Sequence, residues 1–187
     1  MGSGFPKPAW RIEAYAGMPA SLLPYDPAAP DVADSVATHI EAWLRHRGVP
    51  RARVEHIGST AVPGLAGKGI IDLALLYPPG EIAVARDVLS DMGFQRQSTR
   101  DPFPEERPMR VGSVLWSGQR YLLHVHVVAE DAAEAVALIR FRERLRAEPA
   151  LRAAYEARKR EILATGIRDA VAYAEAKAGF ILSADKR

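Results

Sequence analysis

Apolar and polar positions repeat with different periods in different parts of this chain. Residues 1 to about 30 show none, because Pro6, Pro8, Pro19, Pro24, Pro27 and Pro30 interrupt them, and such spacing prevents a long helix. This stretch reads as an irregular arm with one short extended piece at Ser21–Tyr25. A helical period follows. Val32, Val36, Ile40, Trp43 and Leu44 form one stripe, which predicts a helix over Val32–His46 with Asp31 as its N-cap and Gly48 as its stop. Arg45 and Arg47 suit its negative C-terminal end.

The pattern then becomes that of strands. Arg51–Ile57 and Gly69–Leu76 read as strands on either side of a loop of small residues, Gly and one Pro. Pro78-Pro79-Gly80 breaks the chain. Ile82, Ala85, Val88 and Leu89 then predict a helix over Glu81–Met92, ended by Gly93. Phe94–Ser98 reads as a strand, and Asp101–Pro108, with its prolines and charges, as an exposed, mobile lid. Met109–Trp116 and Arg120–Val128 predict two strands joined through Ser117-Gly118-Gln119. On the second, alternation sets Leu122, His124 and His126 on one face and Tyr121, Leu123, Val125 and Val127 on the other. The rest is helical: Asp131–Ala147, Pro149–Thr165 and Arg168–Ala184. The order of elements predicts an α+β fold, with a flexible arm over residues 1–20 and a single domain over 21–187.

Composition narrows the class without naming a function. The 187 residues suffice for one domain with a real core. There is no cysteine, so disulfides and thiolate metal sites are excluded, and a reducing cytoplasm fits. No apolar run approaches the roughly 18 residues needed to span a bilayer, and the start has no signal-peptide core. The net charge is only +2, but from Arg140 onward twelve Lys or Arg face seven Asp or Glu, a local net of +5. That suits an anionic ligand such as a nucleotide or RNA, and equally a set of solvated helix faces. No RNA-binding motif accompanies it.

Several polar residues stand where apolar ones are expected. Asp72 interrupts the run Gly69–Leu76, and a buried acid needs a partner. The Gly58-Ser59 turn before it can offer backbone N–H groups and a hydroxyl to an anion. His124 and His126 share a strand face, where two imidazoles can meet one ligand. Arg142 lies between Leu138 and Leu145 on a helical stripe, and Lys177 lies in the stripe of Ala170, Tyr173, Ala174 and Ile181. Each either reaches an anion or snorkels to solvent. Lys68, just before the second strand, is either a phosphate's counter-charge or a surface lysine.

The string His56-Ile57-Gly58-Ser59-Thr60-Ala61-Val62-Pro63-Gly64-Leu65, with Lys68 and Ile70-Ile71-Asp72, resembles the signature of the GrpB family, within the nucleotidyltransferase-like superfamily. Leu23-Pro24-Tyr25-Asp26-Pro27, Leu123-His124-Val125-His126, Phe141 to Arg146, Tyr155, Lys159, Tyr173 and Lys177 extend the similarity from about residue 22 to the end. The resemblance implies a mixed β-sheet flanked by helices, with a C-terminal helical portion closing one side of a cleft. It further implies nucleotidyl or phosphoryl transfer from a nucleoside triphosphate to an acceptor. In that scheme Asp72 and His124 act in catalysis. Gly58, Ser59, Thr60, Lys68, Arg142 and Lys177 hold the phosphates, and Asp72, His124 and His126 hold a divalent ion, Mg²⁺ or Mn²⁺. One departure bears on chemistry: the superfamily strand carries a second acid two residues after the first, and here Ala74 stands in its place. A binding module for a nucleotide or another phosphate-bearing small molecule, without transfer activity, is the alternative.

Overall fold

The computed structural model describes residues 8–15, 17, 19–99 and 101–185. A helix α1 (Ala29–His46) precedes strands β1 (Arg53–Ile57) and β2 (Ile70–Tyr77), with a single 3₁₀ turn at Ser59–Ala61 between them. Helix α2 (Ile82–Asp91), strands β3 (Gln95–Arg96), β4 (Met109–Trp116) and β5 (Gln119–Ala129), and helices α3 (Ala133–Ala147), α4 (Pro149–Ala164) and α5 (Ala170–Asp185) follow. The five strands form one sheet in the order β1-β2-β5-β4-β3. β2 and β5 run parallel at its centre, and the other pairings are antiparallel. The α+β expectation, with a mixed sheet and a helical C-terminal portion, is met.

Alternation along β2 and β5 divides the molecule into two layers of packing. Ile71, Leu73, Leu75, Leu123, Val125 and Val127 point to one face, where they pack with α1 and α2 into the main core. The stripe of α1 reaches it through Val32, Val36, Ile40 and Leu44, all fully buried. The opposite face carries Asp72, Ala74 and Leu76 from β2 and His124 and His126 from β5, and α3 packs there through Ala135, Leu138 and Ile139. Helices α3 to α5 close this second side, around Val62, Leu65, Leu145 and Tyr155.

Several boundaries differ from those the pattern predicts. Helix α1 begins three residues before the expected start, with Pro30 inside its first turn and Asp31 helical rather than capping. Proline lacks only an N–H that has no partner in the first turn, so it opens a helix instead of blocking it. The strand expected at Phe94–Ser98 shortens to the pair Gln95–Arg96, because Phe94 turns into the core. The charged segment 101–108 is tethered. Arg110 is 4% exposed and donates to Glu105 at 2.8 Å, and Arg107 pairs with Glu134 on α3. Half of the segment is exposed, as the pattern predicts, but Glu105 and Arg107 meet partners on neighbouring elements.

The described part of the N-terminal arm is irregular, as its prolines predict, and it is docked. Glu13 exchanges two backbone hydrogen bonds with Ser113 on β4, and the Trp10 indole donates to Ser35 on α1 at 3.0 Å. Leu23, in the expected extended piece, pairs with Gly67 of the loop between β1 and β2. Among the described residues no helix is long and apolar enough to cross a membrane.

Candidate functional site

The central parallel pair sets Asp72 directly beside His124, and Ala74 beside His126. Period-two alternation then brings both imidazoles and the carboxylate to the same face. His124 Nδ1 lies 3.4 Å and His126 Nε2 3.8 Å from the same Asp72 oxygen, Oδ1. The other Asp72 oxygen faces Gly58. A Cβ at position 58 would stand 2.5 Å from Oδ2, and Gly58 has φ 72° and ψ −168°, a combination essentially restricted to glycine. The turn after β1 and the acid of β2 are thus in direct contact, and only a glycine permits it. Burial alone would raise the Asp72 pKa. Hydrogen bonding from His124 and His126 and their charge overcome that, and hold the carboxyl below the usual range.

A cavity of about 500 Å³ opens over this floor, between the sheet and helices α3 and α5. Its walls are largely apolar, from Ile57, Met109, Phe141, Leu145, Tyr155 and Ile181. Two lysines reach it, Lys68 from the loop before β2 and Lys177 from α5. Their ammonium groups lie 5.5 and 4.9 Å from the centroid of the Tyr173 ring. Burial and the nearby Lys68 push the Lys177 pKa down to about 8, against the pull of Asp72.

The other expected phosphate ligands serve the scaffold. Ser59 Oγ accepts from Lys159 Nζ at 3.1 Å. Thr60 is buried, with its Oγ1 2.9 Å from His56 Nε2 and 3.4 Å from the Ile70 carbonyl. Neither lines the cavity. Arg142 does line it, yet its guanidinium donates to Glu55 Oε2 at 2.9 Å, the His56 carbonyl at 2.7 Å and Glu143 at 2.8 Å. It ties α3 to β1. Arg146 donates to the Ala61 carbonyl at 2.9 Å, and Glu156 accepts from Ala66 N–H at 3.2 Å. The loop between β1 and β2 is thereby clamped by two helices, α3 and α4, which gives the turn at Gly58 a fixed shape.

Two residues outside the expected set complete the arrangement. Tyr15, from the arm, brings its hydroxyl 3.1 Å from His124 Nε2, so His124 spans Asp72 and Tyr15. No period marks Tyr15 in the sequence. Lys159 is 1% exposed, donates to Ser59 and to the Ala66 carbonyl, and faces the Tyr155 ring at 4.7 Å. It shares a buried helical stripe with Tyr155 and Ile162, the same signal that singles out Arg142 and Lys177. Burial, with Lys177 nearby, pushes its pKa down to about 8.

A divalent ion fits this donor set poorly. Asp72 is the one carboxylate on the strand, and Ala74, fully buried, offers no donor where a second acid would stand. Both imidazoles address the same carboxylate oxygen, and His124 also meets Tyr15 through its second nitrogen. Among the described residues no group of three or more His, Cys, Asp or Glu converges in a metal-holding arrangement. Asp72, His124 and His126 come together as a hydrogen-bonded clamp rather than a coordination shell.

Similarity to known proteins agrees with this frame. The model of the GrpB protein family matches residues 19–187. A UPF0157 protein of Halalkalibacterium halodurans is 31% identical over 89% of this chain and 81% of its own length. A UPF0157 protein of Streptomyces coelicolor is 34% identical over 83% and 82%. Among solved structures, the conserved protein GrpB from Enterococcus faecalis aligns with a TM-score of 0.60 at 20% identity, covering 87% of this chain and 98% of that one. Cid1 in complex with its short product ApU aligns at 0.50 and 14% identity, over 73% of this chain and 41% of Cid1. Those two likenesses show the fold, which is nucleotidyltransferase-like. With the family model matched over nearly the whole chain and relatives above 30% identity, this protein belongs to the GrpB family.

Proposed function

We propose that this protein binds a nucleotide, or another phosphate-bearing small molecule, in the cavity between the sheet and the C-terminal helices. One observation carries the reading: the Gly58 turn and Asp72 meet at the floor of a cavity into which two lysines project. An apolar wall with a few convergent polar groups suits a ligand with a planar or apolar body and an anionic end. Phe141 and Tyr155 supply the aromatic surface, and Lys68 and Lys177 the positive charge.

Binding without transfer is the form the donor set favours. The charge neutralisation that carries phosphoryl transfer in this superfamily comes through carboxylate-held ions, and here a single carboxylate is engaged by two imidazoles. Nucleotidyl or phosphoryl transfer to an acceptor is the second reading. The observation that favours it is the contact of His124 with both Asp72 and a hydroxyl, that of Tyr15, since an imidazole so placed can take a proton from a hydroxyl.

Thermal denaturation with each nucleoside triphosphate, in EDTA and in Mg²⁺ or Mn²⁺, tests both readings. A ligand at about 100 times its dissociation constant adds roughly 2.7 kcal/mol of stability. The binding reading expects stabilisation in EDTA. Stabilisation that needs the metal and vanishes in Asp72→Ala supports transfer instead, and calls for an assay of pyrophosphate release. No shift with any nucleotide overturns nucleotide binding.

A further inference from the structure

Lys68 and Lys177 approach the ring of Tyr173 from two separate elements, the loop before β2 and helix α5. Both line the cavity, and both are only partly exposed. Among the described residues neither ammonium has a carboxylate within ion-pair distance, whereas most arginines around the cleft do: Arg142 has Glu55, Arg107 has Glu134 and Arg110 has Glu105. Two like charges brought together in a half-buried space raise each other's energy, and the Tyr173 ring face answers only part of that. The Tyr173 hydroxyl, on a side chain 1% exposed, is itself buried without a hydrogen-bond partner. A pair of cations without a carboxylate partner, both lining the cavity, favours one kind of occupant, an acceptor-rich anion.

The nearest acid does not fill that role. Asp72 is engaged by His124 and His126, so its charge is already answered on the sheet side. Of the other acids that line the cavity, Glu134 is paired with Arg107, and among the described residues neither Asp101 nor Glu175 of α5 comes within ion-pair distance of Lys68 or Lys177.

We infer that Lys68 and Lys177 form a seat for a di- or triphosphate group that works without a divalent metal. The seat deepens the binding reading above by assigning the ligand's charged end to the α5 side of the cavity. Each ammonium donates to phosphate oxygens, and the two oxygens bridged this way belong to one ligand. The apolar wall, from Ile57, Met109, Phe141 and Leu145, takes whatever the phosphates are attached to. A compact anion with a single charge engages one lysine well and the second poorly, so the seat favours polyphosphate over monophosphate.

Titration calorimetry with inorganic pyrophosphate and tripolyphosphate in EDTA tests the seat directly, because neither probe needs the apolar wall. Both are expected to bind, more tightly than inorganic phosphate and less tightly as salt rises. Added Mg²⁺ weakens binding by sequestering the anion. Lys68→Met and Lys177→Met each cost roughly tenfold or more, the loss of one charge-assisted contact, and the double substitution abolishes the heat. Lys177→Arg keeps the charge and retains binding. A melting curve without ligand checks that the variants fold, and is expected to show Lys177→Met at least as stable as the parent, because a like-charge repulsion is removed. Binding that appears only with Mg²⁺, or that survives the double substitution, overturns the seat. The two readings fail separately. If the polyphosphates bind and no nucleoside triphosphate binds more tightly than tripolyphosphate, the seat stands and the nucleotide reading falls. If a nucleoside triphosphate binds and the inorganic probes do not, the reverse holds.

Discussion

The two faces of the sheet are made from alternate residues of the same two strands, and they do different work. On one face Ile71, Leu73, Leu75, Leu123, Val125 and Val127 are closed over by α1 and α2, in a cluster that holds the tyrosines Tyr77 and Tyr121 but no carboxylate or imidazole. On the other, one position along each strand, stand Asp72, His124 and His126. A register slip of one residue would exchange the two sets, so the apolar face fixes the address of the polar one. The core face can be altered only at the expense of stability. The other face holds a carboxylate and two imidazoles in a cavity, which is tolerable because they satisfy one another.

The sharpest break between the faces is a truncation on the core side. Leu123 is fully buried between the parallel strands and the helices, and its neighbour along β5, His124, is the site residue beside Asp72. Leu123→Ala is expected to destabilise by about 2–5 kcal/mol, read as a lowered denaturation midpoint. Ligand affinity measured well below that midpoint should stay within a few-fold of the parent. A large loss of affinity at full folding would mean that the two faces are not independent.

Gly58→Ala attacks the other side. The backbone at this position costs a non-glycine residue about 1–3 kcal/mol, and the added methyl drives into Asp72 Oδ2. The stability loss is expected to be smaller than for Leu123→Ala, and the binding loss complete, because the carboxylate cannot keep its place against both histidines. Unchanged binding in Gly58→Ala would remove the contact between turn and acid from the site.

How far these features could be read beforehand depends on whether they are periodic. Alternation along β5 correctly separated His124 and His126 from Leu123 and Val125, and the lone acid in β2 marked Asp72. The β2 and β5 assignments are close to the observed spans because buried parallel strands read as unbroken apolar runs. Arg142 and Lys177 drew notice by the same test, a cation in an apolar stripe. That test cannot tell their fates apart, since what decides them is Glu55, 87 positions from Arg142 along the chain, in one case and, among the described residues, the absence of any such acid in the other. Tyr15 left no trace because it sits in a proline-interrupted arm, where contacts are made one residue at a time. Lys159 was visible on the stripe of Tyr155 and Ile162, but a stripe shows burial and not that the buried ammonium would end on Ser59.

Lys159 provides the smallest effect and the most specific one, a slope in stability with pH. Its folded pKa is about 8 against an ordinary 10.5, chiefly through burial. Between those values the unfolded chain holds this proton more tightly than the folded one. Stability therefore rises as pH climbs from about 8 to 10.5, by at most about 1.4 kcal/mol per pH unit from this one proton. Above 10.5 the contribution is fully present, and it fades as pH falls through 8. Lys177 adds a slope of the same sign in the same window, so the wild-type curve alone does not identify the source. Lys159→Met is expected to remove one part of the slope and Lys177→Met the other, measured as denaturation midpoints at pH 7.5, about 9 and about 10.5. The comparison also separates their duties. Lys159 holds Ser59 and the Ala66 carbonyl inside the clamped loop, so Lys159→Met should lower stability at pH 7.5. Lys177 reaches the cavity and, among the described residues, has no acid partner, so Lys177→Met should not. If both substitutions destabilise alike at pH 7.5, Lys177 is a structural lysine like Lys159, and the division between scaffold and ligand seat fails at the helices.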